Sequence, residues 1–169
     1  MTEERARYTL PHAVYERVES LQALEDMFDE LVPRAARVIR VFDRSLSSRY
    51  NTAARCELLR QFLRANPLNR LFIVLHEAGD IPRVAPRFVS LLQQFSHAAT
   101  VRVTPRDARH IYDAFAIFDA SHYLHRFHQD HMRFARGRDG IAGAQALLDR
   151  FNELWDASTP TAAISVLGL

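Results

Sequence analysis

Apolar residues recur every three to four positions at Val14, Val18, Leu21, Leu24, Met27 and Leu31. That spacing predicts a helix over 14–31, closed by Pro33. Val38-Ile39-Arg40-Val41-Phe42-Asp43 is a short β-branched run ending on an acid, which predicts a buried strand. Residues 44–51 are loop-like, and Asn51 is a candidate N-cap for a helix reaching about Ala65, with Leu58, Leu59, Phe62 and Leu63 on one face. Asn66-Pro67 stops it, and Leu71-Phe72-Ile73-Val74-Leu75 predicts a second buried strand, followed by His76-Glu77. Gly79, Pro82 and Pro86 punctuate a loop before a helix over about 87–96, and Thr100-Val101-Arg102-Val103 alternates as a half-covered strand does.

The second half opens with an apolar run, Ile111 to Phe118, predicted as a strand. Asp119-Ala120-Ser121 forms a tight turn, and His122 to Phe127 returns as its partner. Residues 128–143 are polar, basic and glycine-containing, and are expected to form a loop. Leu147, Leu148, Phe151 and Trp155 give a final helix over 144–157 its apolar face. Strands alternating with helices and then a hairpin predict an α/β sandwich. Its central sheet is expected to be mostly parallel and flanked by helices, with a C-terminal hairpin pair before the last helix. The expected organisation is a polar lead-in over 1–13, one domain over 14–157 and a tail over 158–169.

Composition narrows the chemistry. Hydrophobic residues at 48% and charged residues at 25% of 169 positions suit one globular domain with a real core. All 22 basic residues are arginine, so neither a Schiff-base lysine nor a P-loop lysine exists here. The formal charge of +2 is too small to imply nucleic-acid binding by itself. Cys56 is the only cysteine, which excludes an intrachain disulfide and a cysteine-rich zinc site. The acidic, polar start and the lack of a long apolar run predict neither a secretory leader nor a membrane span, with the cytoplasm of a bacterium-like cell as the default location.

Within the hairpin, Tyr112-x-Ala114-x4-Asp119 keeps the spacing of a His-x-Lys-x4-Asp motif. With the order of elements, this resembles one half of a phospholipase D superfamily protein over roughly residues 14–157. In that family the histidine attacks phosphorus, forming a phosphohistidine, and the lysine binds the phosphoryl oxygens. The family motif continues into Gly-Ser-x-x-Asn, where this chain has Arg126-Phe127-His128-Gln129-Asp130. The resemblance implies an α/β phosphodiesterase scaffold and a homodimer in which two 112–127 hairpins face one another. The departures imply lost turnover. Tyrosine, with an ordinary pKa near ~10, is a poor nucleophile, and alanine brings no charge to a transferring phosphoryl group.

Candidate site residues follow from strand ends, where α/β proteins place ligands. Asp43 and Glu77 lie at such ends, and Asp119 either lines the same cleft or orders the hairpin turn through backbone amides. Arg87 either points into the cleft or forms a structural ion pair. Arg126 opens a stretch with Arg133, Arg136 and Arg138, interleaved with Phe127 and Phe134, and that pattern suits an anionic ligand. His122, His125, His128 and His131 recur every third residue, and a metal-dependent enzyme using them, with His125 and His128 as the convergent pair, is the alternative. The leading expectation is a non-catalytic phospholipase D-like domain with no cofactor. It would bind a phosphate-containing or other anionic ligand, nucleic acid among them, or serve as an interaction module.

Overall fold

A computed structural model describes residues 14–128, 133–138, 140–161 and 164. In chain order its elements are β1 (Val14–Val18), α1 (Leu21–Leu31), β2 (Val38–Asp43), α2 (Ala53–Ala65), β3 (Arg70–Leu75), α3 (Ile81–Val84) and α4 (Pro86–Gln94). Then come β4 (Ala99–Val103), β5 (Ala114–Phe118), β6 (His122–Arg126), β7 (Phe134–Arg138), α5 (Ile141–Ala157) and the two-residue β8 (Thr159–Pro160). The eight strands form one sheet in the order β1-β7-β6-β5-β2-β3-β4-β8.

The sheet is mixed and mostly antiparallel, which corrects the expectation of a mostly parallel one. Only β2 with β3 and β3 with β4 run parallel. The remaining pairings, β1·β7, β7·β6, β6·β5, β5·β2 and β4·β8, are antiparallel. In both parallel steps the paired strands are joined through helices, α2 between β2 and β3, and α3 with α4 between β3 and β4. The hairpin strand β5 lies in the centre of the sheet beside β2.

Two further differences explain the count. The predicted 14–31 helix is a strand followed by a helix. Ser20 caps α1 by accepting the Ala23 amide at 3.0 Å, and residues 14–18 pair with β7. Val14, Tyr15 and Val18 suit a strand as well as a helix, and the edge of β7 decides between them. Likewise the predicted 128–143 loop contains β7 and the first turn of α5. Its basic composition conceals that Phe134, Ala135, Arg136 and Gly137 are buried, with Arg136 ion-paired to Glu30 of α1 at 3.1 Å.

The core lies in two layers. On one sheet face Ile39, Val41, Ile73, Ala116, Phe118 and Leu124 pack beneath α1, α2 and α4. On the other, Phe42, Val74, Phe115, Ile117 and Tyr123 pack beneath Ala144, Leu147, Phe151 and Leu154 of α5. Phe42 and Ile117 are fully buried, each contributing roughly 1.5–3 kcal/mol. Tyr123 runs close under α5, so a Cβ at Gly137 or Gly143 would collide with its ring.

The chain direction sets two ends of the sheet apart. β2 and β6 finish, and β5 begins, at one end: Ala114 pairs with Arg126 and Phe42 with Phe115. At the other end Phe118 pairs with both Ile39 and His122.

Candidate functional site

The first end carries a cavity lined by Glu25 and Phe28 of α1, Asp43, Arg49 and Tyr50 of the turn over 48–51, and Ala114 with Arg126. Alternation along the strands aims Asp43, Ala114 and Arg126 at one sheet face, the face beneath α1. Asp43 Oδ1 accepts the Arg44 amide at 2.7 Å, and the Tyr50 hydroxyl donates to its Oδ2 at 3.4 Å. Burial pushes the Asp43 carboxyl up to about 6, against the opposing pull of the Arg44 amide and the positive charge of Arg126 and Arg49. Burial, with Asp43 and Glu25 nearby, also holds the Tyr50 phenol well above its ordinary value, so it remains a proton donor.

A buried arginine supports this wall. The Arg55 guanidinium binds the Glu25 and Asp29 carboxylates and the Glu25 carbonyl, and lies 4.6 Å from the Phe28 ring centroid. Burial alone would lower its pKa, but the two carboxylates outweigh that and hold it above its ordinary value. Glu25 in turn holds Arg49, Oε1 to Nε, at 3.2 Å. Glu25, Asp43, Arg49 and Arg126 thus bring charges of both signs to the cavity wall.

Aromatic residues rim the same end. Tyr112, 54% exposed, stacks on His128 with ring centroids 5.2 Å apart. Phe127, 43% exposed, lies 4.4 Å from the His125 ring. Buried Asp113 accepts from His125 Nε2 at 2.9 Å and from Arg150 Nη2 at 2.8 Å, tying β6 and α5 to the start of β5.

The other predicted residues go elsewhere. Asp119 sits at the far end of the sheet in the left-handed region, φ 57°. Its carboxylate accepts the amides of Ala36 and Arg37 at 2.8 Å and of Val38 at 3.0 Å, so it ties the hairpin to the segment leading into β2 rather than bonding amides of the hairpin turn itself. Glu77 is half exposed beside Arg44 at 4.0 Å and faces a separate hollow with Ser45, Ser47 and Asp80. Arg87 donates to the Asn51 carbonyl at 3.4 Å. Asn51 itself caps α4, its Oδ1 accepting the amides of Arg87 at 2.7 Å and Phe88 at 3.3 Å. Thr52, rather than Asn51, caps α2.

His122 lies at the Asp119 end and so does not converge with His125 or His128; His131, Asp130 and Asp139 lie outside the described residues. Among the described residues no group of three or more His, Cys, Asp or Glu side chains is placed to hold a metal ion. No helix among them is long and apolar enough to cross a membrane. Glu25, Arg49, Tyr50 and Asp113 were not anticipated from the sequence. An acid inside the apolar run 111–118 was the available signal for Asp113, since a buried acid requires partners.

The fold is that of the phospholipase D class. The structure superposes on the phospholipase D family member Nuc from Salmonella typhimurium with a TM-score of 0.63 at 12% identity, over 89% of this chain and 99% of that one. NucT from Helicobacter pylori gives 0.55 at 8% identity, over 89% and 100%. TrmBL2, an archaeal chromatin protein described as showing a novel mode of DNA binding, gives 0.64 at 9% identity. The match covers 94% of this chain and 57% of that one. Residues 20–167 match the family described as Domain of unknown function (DUF7931), and the chain belongs to that family. A comparison with curated proteins returned no match.

Proposed function

We propose that this chain is a phospholipase D-like domain that binds a phosphate-bearing ligand in the Asp43–Arg126 cavity and does not turn it over by the family's mechanism. The observation that carries the reading is one rung of the sheet. Ala114, matching the family's lysine, pairs directly with Arg126, matching the first glycine of its Gly-Ser stretch, and both line the cavity. A cation is lost on β5 and one is gained across from it on β6, beside Arg49. Two guanidiniums suit phosphate oxygens well, because each offers a planar fork of donors. The nucleophile has no such replacement. Tyr112 stands at that position, and His125, on the adjacent strand, has its Nε2 committed to Asp113 on the α5 side.

The DNA-binding description of TrmBL2 is compatible with a nucleic-acid ligand. Pairing of two copies, which the resemblance implies, belongs to the same proposal and is checked by light scattering, with twice the mass of one chain expected. The decisive test is calorimetric titration with inorganic phosphate and pyrophosphate, with Arg126→Ala as control. Binding in the parent chain and its loss in Arg126→Ala are expected. Phosphodiester hydrolysis abolished by Tyr112→Phe would overturn the non-catalytic reading.

A further inference from the structure

The charged residues of the cavity do not by themselves account for the exposed aromatic rings at the same end of the sheet. Ala114 and Arg126 form the last rung of the β5–β6 pair, and Tyr112 and His128 lie two residues beyond it on either side. At roughly 3.3 Å per strand residue, the stacked pair begins about 7 Å from the arginine rung. That gap matches one sugar between a phosphate and a planar base. Tyr112 has His128 against one face and is 54% exposed, so a further ring can reach it. Beyond the pair the same edge continues past Phe127, whose amide is held by the Arg133 carbonyl at 3.0 Å, to a hollow lined by Arg17 and Arg133.

We propose that cavity and rim together take a nucleotide unit, free or within a single strand, with its phosphate against Arg126 and its base on Tyr112. This rests on the phosphate-binding reading and adds the ligand class. Alternation of ring faces with guanidiniums is what a single strand requires. Stacking is indifferent to base identity, and the arginines track the backbone. The position that matches a nucleophile in the family becomes a stacking face here.

The test is titration of the full chain with adenosine monophosphate, ribose 5-phosphate, a fifteen-residue oligothymidylate and phosphatidylglycerol vesicles. Adenosine monophosphate is expected to bind about tenfold more tightly than ribose 5-phosphate, in line with stacking on an aromatic side chain. Tyr112→Ala should erase that preference and leave ribose 5-phosphate binding intact, and Tyr112→Phe should retain it. Circular dichroism verifies the fold of each variant. Tighter binding of the oligothymidylate than of the mononucleotide, weakening with salt, assigns the ligand to a strand; the reverse assigns it to free nucleotides. Equal affinity for adenosine monophosphate and ribose 5-phosphate overturns the stacking assignment and leaves the phosphate site standing. Binding of vesicles alone overturns it in favour of a lipid. Failure of every phosphate probe removes both readings.

Discussion

Replacing Asp43 by asparagine should stabilise this protein at neutral pH and do nothing at acid pH. The carboxyl is held up at about 6, chiefly by burial, while an unfolded chain would release its proton near ~4. Between those values the folded chain binds more protons at this position than the unfolded chain does. Stability therefore falls as pH rises through that window, and above it the ionised carboxylate costs the fold up to about 3 kcal/mol. Asparagine preserves an acceptor for the Arg44 amide and the Tyr50 hydroxyl while removing the charge. The expected gain is roughly 1–3 kcal/mol at pH 7.5, because Arg49 and Arg126 lose an attractive neighbour. For a chain of this size that is about 3–10 °C in melting temperature. Thermal unfolding of both chains from pH 3.5 to 8 measures it, and the difference should open between about pH 4 and 6 and level off above that. A gap independent of pH, or an asparagine chain less stable at pH 7.5, would refute the reasoning. The same carboxylate faces any bound anion, so sulfate affinity should weaken as pH rises through 6 in the parent and stay flat in Asp43→Asn.

Asp119→Ala removes the acceptor for three amides and should cost roughly 2–4 kcal/mol by urea midpoint, with phosphate affinity of the folded chain unchanged. Asn51→Ala should cost about 1 kcal/mol, as expected for a helix cap, and raise hydrogen exchange at the start of α4 rather than of α2. Gly137→Ala should destabilise by roughly 1–3 kcal/mol through collision with Tyr123, and Tyr123→Leu in the same chain should recover part of that loss. Elemental analysis of untagged protein is expected to find no stoichiometric metal; a metal lost on His125→Ala would restore the histidine-based enzyme.

How much was legible depended on whether a segment's partner was local. The run 71–75 declares itself as a continuous apolar stretch, and 38–43 as a β-branched run interrupted only by Arg40 before its terminal acid. The helix over 53–65 follows from its own stripe and the stop at Asn66-Pro67. β1 and β7 do not declare themselves. Their residues are mixed and charged; β1 is a strand because β7 pairs with it across more than a hundred positions of sequence, and β7 is one because it lies between β1 and β6. Missing β1 and β7, and the adjacency of β5 to β2, hid the antiparallel character of the sheet.

The site divides in the same way. Asp43 was visible as an acid at the end of an apolar strand and Arg126 as the start of an arginine-rich stretch, and the lack of lysine and the Tyr112 and Ala114 replacements are properties of the sequence alone. That Asp119 serves backbone amides at the opposite end, and that Glu25, Arg49 and Tyr50 complete the cavity, could only come from the fold. Strand periodicity is written residue by residue, because it depends on which side chains avoid water. The pairing of Ala114 with Arg126 depends on a register across the β5–β6 hairpin, and the chemistry of the cavity begins at that rung.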